Sequence, residues 1–227
     1  MRGKKYKKMA EGFENKLYPL DEAIKKAKDT SYSSFTGSID LHIAMFLPKD
    51  KEAKSIKGSL SLPNTVKTEE SRIVIFCEKD QEKEAKEAGA IEAGLDDLIK
   101  KIQDGWMEFD VVLAVPSVMG QIAVLGKELG PKGLMPNPKT GTLVENVKAG
   151  IEEFKKGKTK FICDDGGVVH LTVGKTDTED EKIKANILYV IKSVTDTIGK
   201  TPESLLKSVT LSPTMGTGVK VDMTTCY

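Results

Sequence analysis

The chain has only two histidines, His42 and His170, so nearly every acid–base or metal-binding scheme would have to draw on one of them. Both fall on the polar phase of strand-like patterns, where an exposed or hydrogen-bonded strand histidine is the ordinary expectation. The three cysteines, Cys77, Cys163 and Cys226, are odd in number, scattered and without any C-x-x-C spacing. That argues against a disulfide framework or a zinc site and fits a reducing compartment. No apolar run approaches the roughly 18 residues that a membrane-spanning helix needs. The basic start, Arg2, Lys4, Lys5, Lys7 and Lys8, leads into no apolar h-region. A cytoplasmic location with no membrane partner is expected, and residues 1–8 read as a flexible basic tail.

Signatures of catalysis are missing too. There is no G-x-S-x-G and no Cys–His pairing in a plausible local context. The Gly/Lys content of 120–133 invites comparison with a phosphate loop, but Gly120 lies one residue too far from Gly126-Lys127. Glu128 also stands where Ser or Thr should bind magnesium. Asp164-Asp165-Gly166-Gly167 is turn chemistry before it is a carboxylate pair. No catalytic residue, metal or cofactor is expected, and the chain is not read as an enzyme.

A strong basic excess is likewise absent, since the net charge is +1. The distribution says more. Of 35 Lys and Arg, 14 lie in residues 67–158, leaving 21 in the flanks; of 34 Asp and Glu, 17 lie in that middle and 17 outside it. A phosphate-facing surface is therefore expected from the two chain ends rather than from the whole molecule.

What is present is a pattern that changes twice. Leu20, Ala23, Ile24 and Ala27 have helical spacing, with Asp21 and Glu22 in the first turn. Residues 38–46 alternate Ile39, Leu41, Ile43 and Met45 against Ser38, Asp40, His42 and Ala44, the period of a half-buried strand ended by Pro48. Residues 72–77 and 110–115 are continuous apolar runs suited to strands covered on both faces. Helical stretches at 81–88, 95–103 and 118–129 make the middle a β-α-β-α unit. After it, 160–163 and 168–173 read as a hairpin, 180–198 as a long helix, and 205–211 and 219–223 as closing strands. The expected fold is a discontinuous α+β domain from 1–66 and 159–227, with an inserted Rossmann-like, parallel-sheet α/β domain at 67–158.

Two segments stand out within that frame. Residues 130–141, Gly-Pro-Lys-Gly-Leu-Met-Pro-Asn-Pro-Lys-Thr-Gly, form a stiffened loop that either presents Lys132 and Lys139 to phosphates or only joins elements. Its Leu134 and Met135 need something to pack against. Residues 208–220 combine Ser208, Ser212 and Thr214 with Met215, Gly216 and Gly218. Small hydroxyl residues and glycines let a backbone approach ribose-phosphate closely and can meet a 2′-OH, although an ordinary strand turn has the same composition.

These motifs carry a resemblance. Leu129 to Lys139, Gly105-Trp-Met-Glu-Phe-Asp-Val111 and Thr214-Met-Gly216, in that spacing, are similar to the bacterial form of the large ribosomal subunit protein one family, whose members sit in the lateral stalk. The resemblance runs from Leu20 to Asp222 and implies the same two-domain arrangement. It further implies a monomeric, non-catalytic protein that binds stalk ribosomal RNA, assists release of deacylated tRNA from the exit site, and represses translation of its own messenger RNA. Carried over by motif, the RNA contacts are Phe35, Ser38, Ser208, Ser212, Thr214, Met215 and Gly216, with His170 and Lys175 in a further family-like segment. Lys132 and Lys139 are secondary contacts. Asn64-Thr65 follows Leu62-Pro63 where such relatives carry His-Gly, at the junction between the domains. The competing reading is a nucleotide-binding module or enzyme built on the central α/β domain; fold supports it, but fold does not confer function.

Overall fold

The computed structural model describes residue 6 and residues 16–46, 56–66, 72–155, 157–199 and 201–225. The basic tail expected at 1–8 lies outside the described residues except for Tyr6, as do Pro48, Lys67 and Cys226. In chain order the principal elements are β1 (Leu17–Tyr18), α1 (Leu20–Asp29), β2 (Ser38–Met45), β3 (Lys57–Ser61), β4 (Ile73–Phe76), α2 (Glu82–Glu87), β5 (Glu92–Gly94), α3 (Asp96–Gln103), β6 (Val111–Ala114), α4 (Met119–Ile122), α5 (Gly126–Leu129), α6 (Val147–Lys155), β7 (Lys158–Ile162), β8 (Val168–Lys175), α7 (Asp180–Ile198), α8 (Pro202–Leu205), β9 (Leu206–Pro213) and β10 (Val219–Val221). The chain separates into two compact units, Met1–Val66 with Phe161–Tyr227, and Lys67–Lys160.

The first unit is built on a five-stranded sheet of order β1-β10-β9-β2-β8, in which β1 runs parallel to β10 and the other neighbours are antiparallel. Alternation along β2 buries Ile39, Leu41, Ile43 and Met45 in one cluster with Leu20, Ala23, Ile24 and Ala27 of α1. The same cluster takes Ile183, Ile187, Val190, Ile191 and Val194 of α7. Each fully buried Leu, Ile or Val contributes roughly 1.5–3 kcal/mol, so these two helices hold the sheet to its core. Asp21 and Glu22 open α1 and Lys26 and Lys28 close it, each charge set against the favourable end of the helix dipole. Gly199, at φ 73, ends α7 in the left-handed conformation that a side chain resists.

Close approach fixes where α7 lies. A Cβ on Gly174 of β8 would stand 2.7 Å from Ile183 Cγ1, so only glycine lets the first turn of the helix settle on the strand. Gly174→Ala is expected to cost about 1–3 kcal/mol by overpacking. Chemical denaturation reads this as a lower midpoint, and an unchanged midpoint would show that the helix shifts freely.

The second unit contains a parallel sheet of order β5-β4-β6 covered on both sides. Val74, Phe76, Val112 and Ala114 face Leu98 and Ile102 of α3 together with Ile122, Leu125 and Leu129. Ile73, Ile75 and Leu113 face Ala85 of α2 and Val147, Ile151 and Phe154 of α6. Two-sided cover is why 73–76 and 111–114 carry no polar phase.

The structure differs from the sequence reading at several places, the strands β1 and β3 and the short helix α8 among them. The helix expected over 118–129 is a series of short α and 3-10 turns from Pro116 to Leu129. Gly120 and Gly126 within it lower helix propensity. A third parallel strand, β5, and the helix α6 are additional. The expected hairpin shrinks to a single Cys163–Val169 bridge, because β7 pairs with β3 while β8 pairs with β2. The turn itself forms: Val168 N donates to Asp164 Oδ1 at 2.7 Å and Gly167 N donates to Asp164 O at 3.1 Å.

Candidate nucleic-acid interface

The alternation that buries Ile39, Leu41 and Ile43 leaves Ser38, Asp40, His42 and Ala44 on the other face of β2. Directly opposed residues of antiparallel strands share a side, so the register completes that face. Asp40 lies between Thr172 and Ser212, His42 between His170 and Thr210, and Ala44 between Val168 and Ser208. Lys220 follows beyond Thr210. None of these residues is buried. Thr172, Ser212, Thr210 and Ser208 set short hydroxyl side chains around the two histidines, and short side chains let a sugar-phosphate chain approach closely. Thr172 Oγ1 donates to Asp40 Oδ1 at 2.7 Å, so one oxygen of the carboxylate on this face is already hydrogen-bonded.

At one end of this face the loop after α1 is fastened to the turn after β9. Thr214 N donates to Ser38 O at 2.9 Å, while Ser38 N donates to Thr214 Oγ1 at 2.8 Å. Tyr32 N donates to Met215 O at 3.1 Å, and Ser33 Oγ donates to Phe35 O at 2.8 Å. The fastened edge displays Phe35 at 57% and Met215 at 38% exposure. Two apolar side chains presented by a braced turn beside an open hydroxyl-rich sheet suit the flat face of an unstacked base or a sugar. A shallow cleft next to Phe35 is lined by Ser31, Ser33, Ser34, Thr36, Thr176 and Asp177. Thr36 Oγ1 donates to Asp177 Oδ2 at 2.6 Å across it.

Residues 23–217 of the 227 match the Ribosomal protein L1p/L10e family. The chain belongs to that family. As an L1-family protein it is a structural component of the large ribosomal subunit and binds ribosomal RNA. The family is one of ribosomal proteins and not of enzymes. Among the described residues no helix is long and apolar enough to cross a membrane.

In this L1-family chain Phe35, Ser38, Thr214, Met215 and Gly216 come together at the fastened edge. Ser212 and His170 stand on the open face, Ser208 lies further along β9, and Lys175 pairs with Ser38 at the start of β2. Lys132 and Lys139 are exposed but belong to the second unit. Their loop is braced from within: Asn137 Oδ1 accepts from Lys139 N at 2.9 Å, Thr142 Oγ1 accepts from Asn137 N at 2.8 Å, and Lys160 Nζ donates to Gly133 O at 2.5 Å. Leu134 and Met135 pack on the core beneath. The amides of Gly133, Leu134, Gly141 and Thr142 all donate to carbonyls of the same segment, which leaves them turned away from any phosphate. That arrangement disfavours the nucleotide-binding alternative.

His42, which the sequence presents as an ordinary strand histidine, stands on the same face. Its Nδ1 lies 2.7 Å from Nδ1 of His170, and its Nε2 lies 2.7 Å from Ser212 Oγ. His170 Nε2 in turn stands 3.5 Å from Asp164 Oδ2. Partial burial holds the His42 pKa below its ordinary value, with His170 adding to the effect and Asp40 opposing it. Asp164 titrates below the usual carboxylate range, chiefly through the bond from Val168 N and further through His170. Only the strand register reveals this chain of contacts; the available signal was that both histidines sit on a polar strand phase.

Proposed function

We propose that the two compact units are folding domains, the second inserted in the first, and that the open face of the first with its 214–216 turn is the ribosomal RNA-binding surface. The observation that carries the reading is the pair of hydrogen bonds between Thr214 and Ser38, which sets Met215 and Phe35 at the rim of a hydroxyl-rich sheet. Affinity then comes from a preformed shape, with Ser38, Ser208 and Ser212 meeting ribose and phosphate, and Met215 packing on a base or sugar. His170 and Lys175 extend the contact, and Lys132 and Lys139 add long-range attraction from the inserted domain.

The RNA in this reading is the compact stalk element of large-subunit ribosomal RNA. From that position the protein would assist departure of deacylated tRNA from the exit site, and the same surface would bind an imitation of the stalk element in its own messenger and repress translation. Both steps rest on the likeness of the 129–139 and 214–216 motifs to stalk proteins, in a cytoplasmic ribosome and a protein monomeric when free of it. Binding to a stalk RNA fragment and to an unrelated hairpin of equal length, each at two salt concentrations, tests the reading. Selective binding that persists at higher salt is expected, because the contacts are mostly hydroxyl, backbone and apolar. Equal binding to both RNAs, erased by salt, would leave charge attraction alone.

A further inference from the structure

Both histidines of the chain meet on the open sheet face, and their ring protons can be counted. Four contacts must be served: Ser212 Oγ with His42 Nε2, His42 Nδ1 with His170 Nδ1, and His170 Nε2 with Asp164 Oδ2, together with the free side of the Ser212 oxygen. Two neutral imidazoles supply two N–H groups. If His42 carried its proton on Nε2, then His170 would carry its own on Nδ1 and aim a bare nitrogen lone pair at the Asp164 carboxylate. The opposite assignment satisfies every contact. Ser212 O–H donates to His42 Nε2, His42 Nδ1–H donates to His170 Nδ1, and His170 Nε2–H points at Asp164. In this state the Ser212 hydrogen is committed to the imidazole, and the oxygen offers only lone pairs to an approaching ligand.

A phosphodiester oxygen also offers only lone pairs. Ser212 can donate to it only if the hydroxyl turns outward, and then His42 Nε2 loses its donor unless a proton from solvent occupies that nitrogen. With the proton in place the direction reverses: His42 Nε2–H donates to Ser212 Oγ, Ser212 O–H donates to phosphate, and one positive charge lies beneath the contact.

The geometry points to the His42–His170 pair as a proton-linked positioning element for Ser212, which donates to an RNA phosphodiester only when the pair takes up one proton from solvent. This rests on the reading of the open face as the RNA surface and adds to it the group contacted and the linkage. The surroundings favour a single uptake. Asp40 on β2, occupied by Thr172, and Asp164 in the turn before β8 stabilise one imidazolium, while His170 opposes a second. No titratable side chain of β9 faces the pair, where Thr210 and Ser212 stand, and Lys220 of β10 lies one strand further off. In the free protein partial burial holds His42 below the ordinary histidine value, so that ring disfavours a proton until RNA is bound.

The sign follows from linkage. A group whose pKa is higher in the complex than in the free protein makes affinity rise as pH falls, through the window between the two values, by up to about tenfold per pH unit for one proton. The test measures affinity of the full chain for a stalk RNA fragment at pH 8, 7 and 6 in constant salt, beside His42→Gln, and follows the histidine ring protons of the unsubstituted protein by NMR with and without RNA. Tighter binding at pH 6 than at pH 8, a flat profile in His42→Gln and an upward-shifted ring titration in the complex are expected. Selective RNA binding with equal pH profiles in both proteins, or ring titrations unmoved by RNA, overturns the linkage and leaves the RNA surface standing. Absence of selective binding at every pH overturns the reading of the surface itself.

Discussion

Replacing Gly216 by alanine is expected to weaken selective RNA binding by at least about tenfold, because the turn that presents Met215 is packed with no room for a side chain. A Cβ at this position would lie 2.5 Å from Pro213 Cγ and 2.7 Å from Thr30 O. One obstacle is a ring and the other is backbone at the end of α1, so neither swings aside as a flexible side-chain tip would. The turn must instead lift from the helix end. Lifting loosens the bond from Tyr32 N to Met215 O and strains the pairing of Thr214 with Ser38, so Phe35 and Met215 lose their fixed separation. The folding cost is about 1–3 kcal/mol, typical of overpacking. Gly120 serves as control, because a Cβ there meets nothing within 4 Å and Gly120→Ala removes only backbone freedom. Affinity measurements on the two variants distinguish the cases; unchanged RNA binding in Gly216→Ala would show that the turn does not shape the site.

The second large effect is at Asn186, a side chain 1% exposed within the apolar stripe of α7. Its Oδ1 accepts from Asn64 N at 3.1 Å, and its Nδ2 donates to Asn64 O at 3.0 Å and to Val173 O at 2.8 Å. One amide thus secures the backbone at Asn64 and a carbonyl of β8, and a leucine of similar size would leave these buried groups without partners. Asn186→Leu is expected to destabilise the protein by about 2–4 kcal/mol, since each stranded backbone group costs about 1–3 kcal/mol and Asn64 recovers some of this from water. A melting temperature lower by about 5–15 °C follows for a chain of this size. Faster amide exchange at Asn64 should accompany it, and a variant that melts with the parent would show that the segment is held by other contacts. The chain carries Asn-Thr after Leu62-Pro63 rather than His-Gly, and the clamp gives that difference a physical role: the N–H and the C=O of Asn64 are both bonded to one buried side chain.

What the sequence made legible depended on how local the determining interactions are. The helix at 180–198 was readable because the apolar stripe of Ile183, Ile187, Val190, Ile191 and Val194 is written within it. The polar and apolar phases of β2 were equally plain, and they placed His42 correctly on the exposed face. Pairing was harder to read. The turn at Asp164–Gly167 is real, but two adjacent strands joined by a good turn need not pair when each finds a longer partner elsewhere. β5 escaped notice because its residues, Glu92, Ala93 and Gly94, carry almost no apolar signal, and the strand exists by virtue of pairing with β4. In the candidate site, Ser212 and Met215 were named from composition and motif, whereas the link from Ser212 through His42 to His170 depends on three strands meeting in register across more than a hundred residues.

The most direct measurement is amide hydrogen exchange of the full chain with and without the stalk RNA fragment. Protection is expected at residues 32–38 and 208–216 and along β8, with the 130–141 loop changing little. Protection concentrated in the 130–141 loop, with the 208–216 segment exchanging as in the free protein, would contradict the account and move the RNA surface to the inserted domain.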